Sequence, residues 1–456
     1  MKKNTQILTV LLLLLILFSG CEKFLEEKSN KNLAIPTTLH DFQSLLNNWE
    51  ILNSGSSAMG EASSDDYFLK DEDYEGLYYE SDKRLYTWKP DYVSTPQAST
   101  GDDWERCYSS IYICNSVLKG IEENKLIGQE ADYVKGQALV FRAASYLDGI
   151  QIWAPVYNPQ TANTDLGMVL RLNPDMNIQS VRSSVQVTYD HILKDLTDAI
   201  PLLPTTSLAA TLPTKAAAYG LLARTRLILG NYTDALENAK KAVEFSSQLI
   251  DFNGLDPNAD YPIPAINQLS SEIVFQTRMY PSDLINLDIA KITPALYNLY
   301  DNGDLRKTIY FRQGNDGYYR FKGTHMGHSG LIAGITTSEL LLIIAECNAR
   351  LNNLAEAENA LNKLLIKRWD VNQFVSYSFT NKDAALNTIL NERRKELVFR
   401  GLRWSDIKRL NRDGYNITLT RTVNGQTFTL PPNDLRYAIA IPETVIEISG
   451  IPQNPR

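Results

Sequence analysis

The sequence of 456 residues is poor in cysteine and histidine, with four of each. Cys107 and Cys114 are seven positions apart in a predicted helix, roughly 10.5 Å along its axis, which is beyond the reach of a disulfide. We therefore expect packing rather than covalent cross-links to stabilise the fold, with Cys107, Cys114 and Cys347 as buried small hydrophobic residues. The sequence also lacks an excess of positive charge. Its net charge of −8 argues against nucleic acid or anionic lipid as a partner.

Long hydrophobic runs are absent beyond the N-terminus. The apolar run from Ile7 to Phe18 follows two lysines and would form a helix of roughly 18 Å, too short for a bilayer core of about 30 Å. A positive start, a short apolar middle and small residues at the end predict a secretory signal peptide at 1–20. The sequence LFSGC resembles a bacterial lipoprotein box, so we expect Cys21 to be lipidated and residues 21–36 to form a flexible tether.

An internal repeat dominates the middle of the chain. At an offset of 122 residues and without a gap, Ala223 aligns with Ala345 and Ala235 aligns with Ala357. Each copy predicts a helix, a short turn and a second helix, with small residues where the two helices cross. This pattern is typical of a tetratricopeptide unit. Because such units cannot bury their apolar faces alone, neighbouring helices should complete a stack of about four pairs.

The composition changes between the two repeats. Proline and glycine accumulate from 251 to 335, which predicts a loop-rich insertion with short strands. Residues 61 to 101 are acidic and aromatic without periodicity, and we predict loops there. The helix-pair scaffold within a domain at 37–456 should comprise three ranges: 38–50, 102–250 and 336–412. Residues 413–456 would form a C-terminal segment. The predicted fold class is mainly α, a tetratricopeptide-like helix-pair solenoid with a loop-rich lobe containing minor β.

Four segments resemble the SusD/RagB family. They are the opening CEKFLEE, the helix VKGQALVFRAASYLDGIQIWAPV, the helix NERRKELVFRGLRWSDIKRL at 391 to 410, and the closing YAIAIPETVIEISGIPQNPR. The resemblance implies a SusD-like fold and a lipoprotein on the outer-membrane surface of a Bacteroidetes-type bacterium. It further implies a non-catalytic protein without a cofactor. Such a protein captures an oligosaccharide, or sometimes a peptide, for a SusC-like TonB-dependent transporter.

The charged residues of the helix at 391 to 410 have two interpretations. Leu397, Trp404 and Ile407 contribute to one apolar stripe, and Glu396 with Arg400 is spaced as an i,i+4 ion pair. We expect the charges to form a partly buried ion network that fixes the stack. Direct contact with a ligand is the alternative.

Candidate ligand-binding residues come from the aromatic loops. A pyranose ring packs its apolar face on tryptophan or tyrosine, while its hydroxyls need polar partners. Trp88 lies in a proline-containing stretch without helical spacing, so we expect it in an exposed loop. The first group of candidates is therefore Trp88, Tyr86, Asp91 and Tyr92. The insertion supplies a second group, which consists of Tyr318, Tyr319 and Arg320.

Catalytic and metal-binding motifs are weak. His325 and His328 are three residues apart in a glycine-rich loop, but no cysteine lies near them to complete a metal site. The glycines of this loop lack the Gly-Lys-Ser/Thr ending that holds a phosphate. Two other functions stay open at this point. One is a tetratricopeptide adaptor that binds peptides in its concave groove, and the other is a surface glycoside hydrolase.

Overall fold

The computed structural model describes residues 35–91, 102–265 and 272–456. The predicted lipidation site Cys21 and the candidate Tyr92 lie outside these ranges. Within them the chain is mainly α, with 17 helices and ten short strands. The fold class predicted from the sequence is confirmed. The buried apolar side chains form one continuous core that runs through the scaffold and the lobe.

The N-terminal part of the scaffold begins with short helices and continues with long ones. In chain order they are α1 (Leu39–Leu46), α2 (Trp49–Leu52), α3 (Met59–Ala62), α4 (Asp71–Glu75), α5 (Glu80–Tyr86), α6 (Asp103–Glu123), α7 (Gln129–Trp153) and α8 (Val185–Ala199). The prediction of loops from 61 is wrong up to residue 91, because α4 and α5 lie there. Helices α6, α7 and α8 pack side by side, and a buried ion pair of Arg142 with Asp195, 2.7 Å long, joins α7 to α8.

The two sequence repeats form two helical hairpins. The first consists of α9 (Lys215–Leu229) and α10 (Tyr232–Phe245), and the second follows the lobe, as specified below. Helix α9 ends at Gly230 in the left-handed conformation, with φ of 79°, which glycine adopts without steric cost. The aligned alanines Ala223 and Ala345 are both completely buried. Their small side chains allow the helices to cross closely, as the repeat predicted.

The lobe lies between the two hairpins and carries about half of the strands. Its short helices are α11 (Pro294–Tyr297) and α12 (Arg306–Ile309). The strands of the whole chain are β1 (Tyr67–Phe68), β2 (Leu166–Val169), β3 (Arg182–Ser184), β4 (Ile273–Phe275), β5 (Lys291–Ile292), β6 (Phe311–Gln313), β7 (Tyr319–Phe321), β8 (Ile335–Thr336), β9 (Leu419–Val423) and β10 (Gln426–Leu430). They form five antiparallel two-stranded sheets within the described ranges, paired as β1–β5, β2–β3, β4–β8, β6–β7 and β9–β10.

The C-terminal third closes the scaffold. Its helices are α13 (Thr337–Arg350), α14 (Leu354–Leu365), α15 (Lys382–Glu396), α16 (Arg403–Arg412) and α17 (Glu443–Ser449). An ion pair of Arg224 with Glu339, 2.7 Å long, joins α9 to α13, so the two repeat hairpins are connected directly. None of the helices in the described part of the chain combines the length and apolar character needed to cross a bilayer.

The single helix predicted at 391 to 410 is wrong, because the chain leaves the helical conformation between α15 and α16. Phe399 and Gly401 have φ values of 56° and 71°, which end an α-helix. The predicted pair of Glu396 with Arg400 is wrong for the same reason. Arg400 instead donates from Nε to the carbonyl of Ile332 at 3.0 Å and from Nη2 to the carbonyl of Gly334 at 2.8 Å.

Candidate functional site

Trp88 and Tyr86 lie in the protein core. Trp88 is 5% exposed, and its indole Nε1 donates a hydrogen bond of 3.0 Å to the carbonyl of Ser63. The hydroxyl of Tyr86 accepts a hydrogen bond of 2.7 Å from the backbone N–H of Leu69. The expectation of an exposed aromatic loop is therefore wrong for these two residues, and neither offers a ring face to a ligand.

An arginine from the C-terminal hairpin explains why the two rings are buried. The guanidinium of Arg421 on β9 lies 3.9 Å from the ring centre of Tyr86 and 4.8 Å from that of Trp88. It also donates to the buried carbonyl groups of Ala62 and Ser64, at 2.9 and 2.6 Å. These contacts fix the segment after α5 on the hairpin β9–β10. Sequence reasoning missed Arg421, because more than 300 residues separate it from Trp88.

Asp91 is exposed and pairs with Arg84 on α5. The hydrogen bond from Arg84 lowers the pKa of the Asp91 carboxyl. Since Asp91 lies largely in solvent and Arg84 is only half-buried, the pair adds little to stability. Of the first candidate group, Asp91 is thus the described residue that remains accessible to a ligand.

The second candidate group lies on the hairpin β6–β7 of the lobe. Side chains alternate between the two faces of a strand, so Tyr318 and Arg320 lie on one face of the hairpin and Tyr319 lies on the other. The structure therefore separates the three predicted residues. Tyr319 stacks on Tyr297 of α11, with ring centres 3.7 Å apart and an interplanar angle of 14°.

The face with Tyr318 combines an exposed ring with charged groups. Tyr318 is 40% exposed, and its ring meets the edge of Phe68 on β1, with ring centres 5.4 Å apart at 80°. Arg320 donates to both carboxylate oxygens of Asp316, at 2.8 and 2.7 Å. This bond holds the pKa of Asp316 well below its usual range. Lys70, which directly precedes α4, has its pKa raised first by its hydrogen bond with Glu72 and further by the nearby charge of Asp316. We call the surface formed by Tyr318, Phe68, Arg320, Asp316 and Lys70 the hairpin face.

The turn of the hairpin places Tyr318 at the edge of this face. Gly317 adopts φ of 81°, a conformation that glycine tolerates, and its N–H donates to the carbonyl of Gly314 at 3.0 Å. Beneath the face, Lys291 on β5 is buried and forms an ion pair with Asp73 on α4. The hairpin face therefore packs over a buried ion pair and presents one apolar ring with ionised groups beside it.

The two histidines of the glycine-rich loop lie in different environments: His325 is buried, and His328 is exposed. Burial and the nearby Arg400 lower the pKa of His325 to about 3, so His325 is neutral. Nδ1 of His328 accepts a hydrogen bond of 3.0 Å from the backbone N–H of Gly330. In the ranges that the structure describes, no group of three or more histidine, cysteine or acidic side chains is arranged to hold a metal ion.

A second concave surface lies on the scaffold, away from the lobe hairpin. This groove of about 650 Å³ runs along α6 and is bounded by the segment after β2 and by α17. Trp104, Tyr108, Tyr112 and Met176 contribute its apolar lining. Tyr112 and Met176 are exposed at its rim. We refer to it as the helical groove.

Comparison with known proteins identifies the family. Residues 23–227 match the SusD-like model described as starch-binding and associating with the outer membrane, and residues 302–449 match the model of the SusD family. The chain belongs to the SusD/RagB family. No curated protein sequence matches it.

Solved SusD superfamily structures share the fold. A Bacteroides vulgatus protein described as sugar-binding is 21% identical, with a TM-score of 0.75, and the match covers 92% of this chain and 99% of that one. A Bacteroides thetaiotaomicron SusD superfamily protein is also 21% identical, with a TM-score of 0.72 and coverage of 92% and 100%. A Bacteroides fragilis SusD superfamily protein is 21% identical as well, with a TM-score of 0.71, and the match covers 91% of this chain and 99% of that one. At these identities the likeness shows the fold alone.

The charged series of the SusD/RagB signature forms a buried ion network, as expected. On α15, Glu396 accepts hydrogen bonds from Arg306 of the lobe, at 3.1 Å, and from Arg368 after α14, at 2.8 Å. On α16, Arg409 donates to Glu346 of α13 at 2.6 Å. All of these side chains are buried. Direct contact with a ligand is therefore excluded for them in this conformation.

The same signature also holds the N-terminal segment beside the hairpin face. Arg394 and Arg403 donate to the carboxylates of Asp65 and Asp66, at 2.7 to 3.0 Å. These acids directly precede β1, which carries Phe68. The SusD/RagB signature thus acts by positioning: it fixes the lobe and the strand β1 on the helical scaffold.

Proposed function

We propose that this SusD/RagB protein is a non-catalytic, lipid-anchored binding protein of the outer-membrane surface. It captures an oligosaccharide on the hairpin face and delivers it to a SusC-like TonB-dependent transporter. The observation that carries the proposal is the exposed ring of Tyr318, held against Phe68 and flanked by ionised side chains, in a chain of a family described as starch-binding.

The chemistry of the hairpin face suits a sugar. The ring of Tyr318 offers an apolar surface to the C–H face of a pyranose. Lys70 and Arg320 supply donors, and Asp316 supplies acceptors, for the hydroxyl groups at the ring edge. Because these charged groups already pair with one another or with neighbours, they are oriented before a ligand arrives, and little conformational freedom is lost on binding.

The test is the affinity of the purified protein for a panel of oligosaccharides, measured by calorimetry. Replacing the ring in Tyr318→Ala should weaken binding by about 2 kcal/mol, or roughly 30-fold, as expected for an aromatic anchor. Tyr415→Ala is the matched control, since Tyr415 is 38% exposed and lies after α16 on the scaffold. Equal affinity of the two variants would reject the hairpin face as the binding site.

Anchoring and delivery are tested in the cell. Cys21→Ala should abolish incorporation of labelled fatty acid and release the protein from the membrane fraction. The wild-type protein, solubilised in mild detergent, should co-purify with a TonB-dependent transporter. Absence of any such transporter from the purified material would contradict the delivery role. The oligosaccharides are also incubated with the protein and assayed for new reducing ends. Their appearance would show cleavage of glycosidic bonds and would contradict the non-catalytic role.

Peptide capture in the helical groove is the second candidate, because a groove of about 650 Å³ with aromatic lining is large enough for the side chains of a peptide. Tyr112→Ala separates the two candidates. Under our proposal this variant keeps full oligosaccharide affinity. If it abolishes binding of a peptide ligand while Tyr318→Ala has no effect, the groove is the functional surface.

A further inference from the structure

Arg106 carries a charge without a partner. It lies in the first turn of α6, and in the described ranges it makes neither a hydrogen bond nor an ion pair; its Nε is buried without an acceptor. Of the segments outside those ranges, 92–101 and 266–271 contain no aspartate or glutamate, and 1–34 contains three glutamates, Glu22, Glu26 and Glu27. A guanidinium has five N–H donors; the buried Nε–H of Arg106 is left without an acceptor, which is costly, while the other N–H groups of this half-buried side chain reach solvent. The missing acceptor is a feature that a ligand can supply.

The guanidinium of Arg106 is held in a fixed orientation. It stacks on the ring of Tyr280, 3.4 Å from the ring centre, a contact that favours a planar cation. Stacking occupies the face of the guanidinium and leaves its edge, where the N–H groups lie, available to an acceptor. A planar, two-oxygen acceptor matches such an edge through two parallel hydrogen bonds.

Neighbouring carboxylates do not serve as this acceptor. Asp103 accepts from the hydroxyl of Ser57 at 2.6 Å and from the N–H of Ala58 at 3.1 Å. Asp148 accepts from the N–H of Ser57 at 2.6 Å. Both carboxylates are thus engaged by the turn before α3. Burial also raises the pKa of Asp148 to about 7, so this group carries less negative charge near neutrality than an ordinary aspartate and repels an incoming anion less.

The space beside Arg106 sets the size of the acceptor. Arg106 lines a small cavity of about 80 Å³, together with Ser56, Ser57 and Asp148. A single water needs roughly 10–15 Å³ of such a cavity, so there is room for a group of several heavy atoms such as a carboxylate. A carboxylate attached to a larger ligand fits this limit, with the remainder of the ligand outside.

Tyr280, on which Arg106 stacks, lies in the chain segment that leads to the hairpin face. The chain continues from Tyr280 to Asp288, whose carbonyl accepts a hydrogen bond of 2.8 Å from Nε of Arg320 on the hairpin face. On the other side, Arg278 stacks near Trp49, 5.7 Å from the ring, and approaches Glu50 only to 3.9 Å. The segment thus carries a second, weakly ion-paired cation, whose Nε donates to the hydroxyl of Ser54 at 2.8 Å.

We infer that Arg106, stacked on Tyr280, is a carboxylate subsite, and that the captured ligand carries a carboxylate group. This inference rests on the proposed binding function and specifies its ligand class. A uronic acid residue of an acidic oligosaccharide supplies such a carboxylate. The C-terminus of a peptide presents the same two oxygens to the guanidinium, and the experiment distinguishes the two sources.

The experiment compares carboxylated ligands with matched neutral ones. The probes are oligogalacturonate, alginate and hyaluronan oligomers, each beside its carboxyl-reduced counterpart, and a peptide library with free-acid or amidated C-termini. The proteins are wild type, Arg106→Gln, Arg106→Lys and the control Arg226→Gln, which removes a half-exposed arginine of α9. Arg106→Gln loses the stacking contact with Tyr280, so its melting temperature should fall slightly, and binding is measured well below that temperature.

We expect a carboxylated oligosaccharide to bind at least tenfold more tightly than its reduced form. Arg106→Gln should remove that difference in affinity without weakening the binding of the reduced oligosaccharide. Arg106→Lys should retain part of the difference, and Arg226→Gln should leave it unchanged. Two results would overturn the inference and leave the proposed function intact. One is binding of neutral oligosaccharides alone, and the other is an affinity for acidic oligosaccharides that is unchanged in Arg106→Gln. Arg106-dependent binding of free-acid peptides alone would support the carboxylate subsite and overturn oligosaccharide capture. Binding of no probe would refute both.

Discussion

The buried carboxyl of Glu61 should make the stability of the protein depend on pH. Glu61 lies in α3 without solvent exposure, and its Oε2 accepts a hydrogen bond of 2.8 Å from the N–H of Gly401. Burial, and next the negative charge of Asp66, raise the pKa of Glu61 from its ordinary value of 4.5 to about 8. Glu61→Gln keeps the size of the side chain and an oxygen that accepts from Gly401, but it cannot ionise.

The sign of the effect follows from the direction of the shift. A carboxyl whose pKa is raised by folding favours the folded state while it is protonated, below pH 4.5, and this contribution is lost as the pH rises towards 8. At about 1.36 kcal/mol per pKa unit, the free energy of unfolding of the wild type should fall by at most roughly 5 kcal/mol relative to Glu61→Gln. The two proteins should be similar near pH 5, and the variant should be more stable at pH 9.

Urea denaturation at pH 5, 7 and 9, followed by tryptophan fluorescence, measures this difference. Glu237→Gln, at an exposed position of α10, is the matched control and should follow the wild type at each pH. All other titrating groups are common to the proteins and cancel in the comparison. Parallel curves for the wild type and Glu61→Gln would refute the reasoning, because they would show that Glu61 ionises as easily in the folded state as in the unfolded chain.

Three further outcomes test the core and its relation to binding. Trp88→Phe should lose about 2 kcal/mol of stability in urea, through the lost hydrogen bond and buried area, yet keep the wild-type affinity for oligosaccharide; weaker binding at unchanged stability would contradict the buried role. Arg421→Gln should lose at least about 3 kcal/mol in the same assay, because buried carbonyl groups lose their donor; a loss below 1 kcal/mol would contradict the anchoring of the hairpin β9–β10. The buried thiols of Cys107, Cys114 and Cys347 should react with a thiol reagent at the rate of unfolding; rapid labelling of the native protein would show that these sites open locally.

Local periodicity made the helical scaffold predictable. Ala235 aligns with Ala357 because small and apolar residues recur at the same short spacings in both repeats. Both alanines are completely buried where their helices cross. The short strands predicted for the insertion at 251 to 335 are also present, among them β4 and β7. In these cases residues close in sequence decide the structure, so the sequence alone carries the information.

The hairpin face, and the interruption between α15 and α16 in the signature segment, depend on contacts between residues that are distant in the sequence. The apolar spacing around Phe399 predicts a continuous helix, but its ring stacks on Phe321 of the lobe, with centres 5.1 Å apart at 9°, and its backbone turns to make that contact. Trp88 has no helical spacing and was expected in an exposed loop, although Arg421 draws it into the core. Periodicity cannot show which residue meets another across 300 positions, and the free guanidinium of Arg106 is visible only once every other partner has been located.

The ion network of the signature gives the lobe a defined position relative to the scaffold. Buried ion pairs often add little net stability, because desolvation offsets the attraction between the charges. Their geometric effect is different: Glu396 can satisfy Arg306 and Arg368 together only when the lobe and the end of α14 occupy one arrangement on α15. Arg306 lies in α12, directly before strand β6 of the hairpin that carries Tyr318. The charges of the signature therefore determine where the exposed ring stands, although most of them are buried away from the solvent in which the ligand arrives.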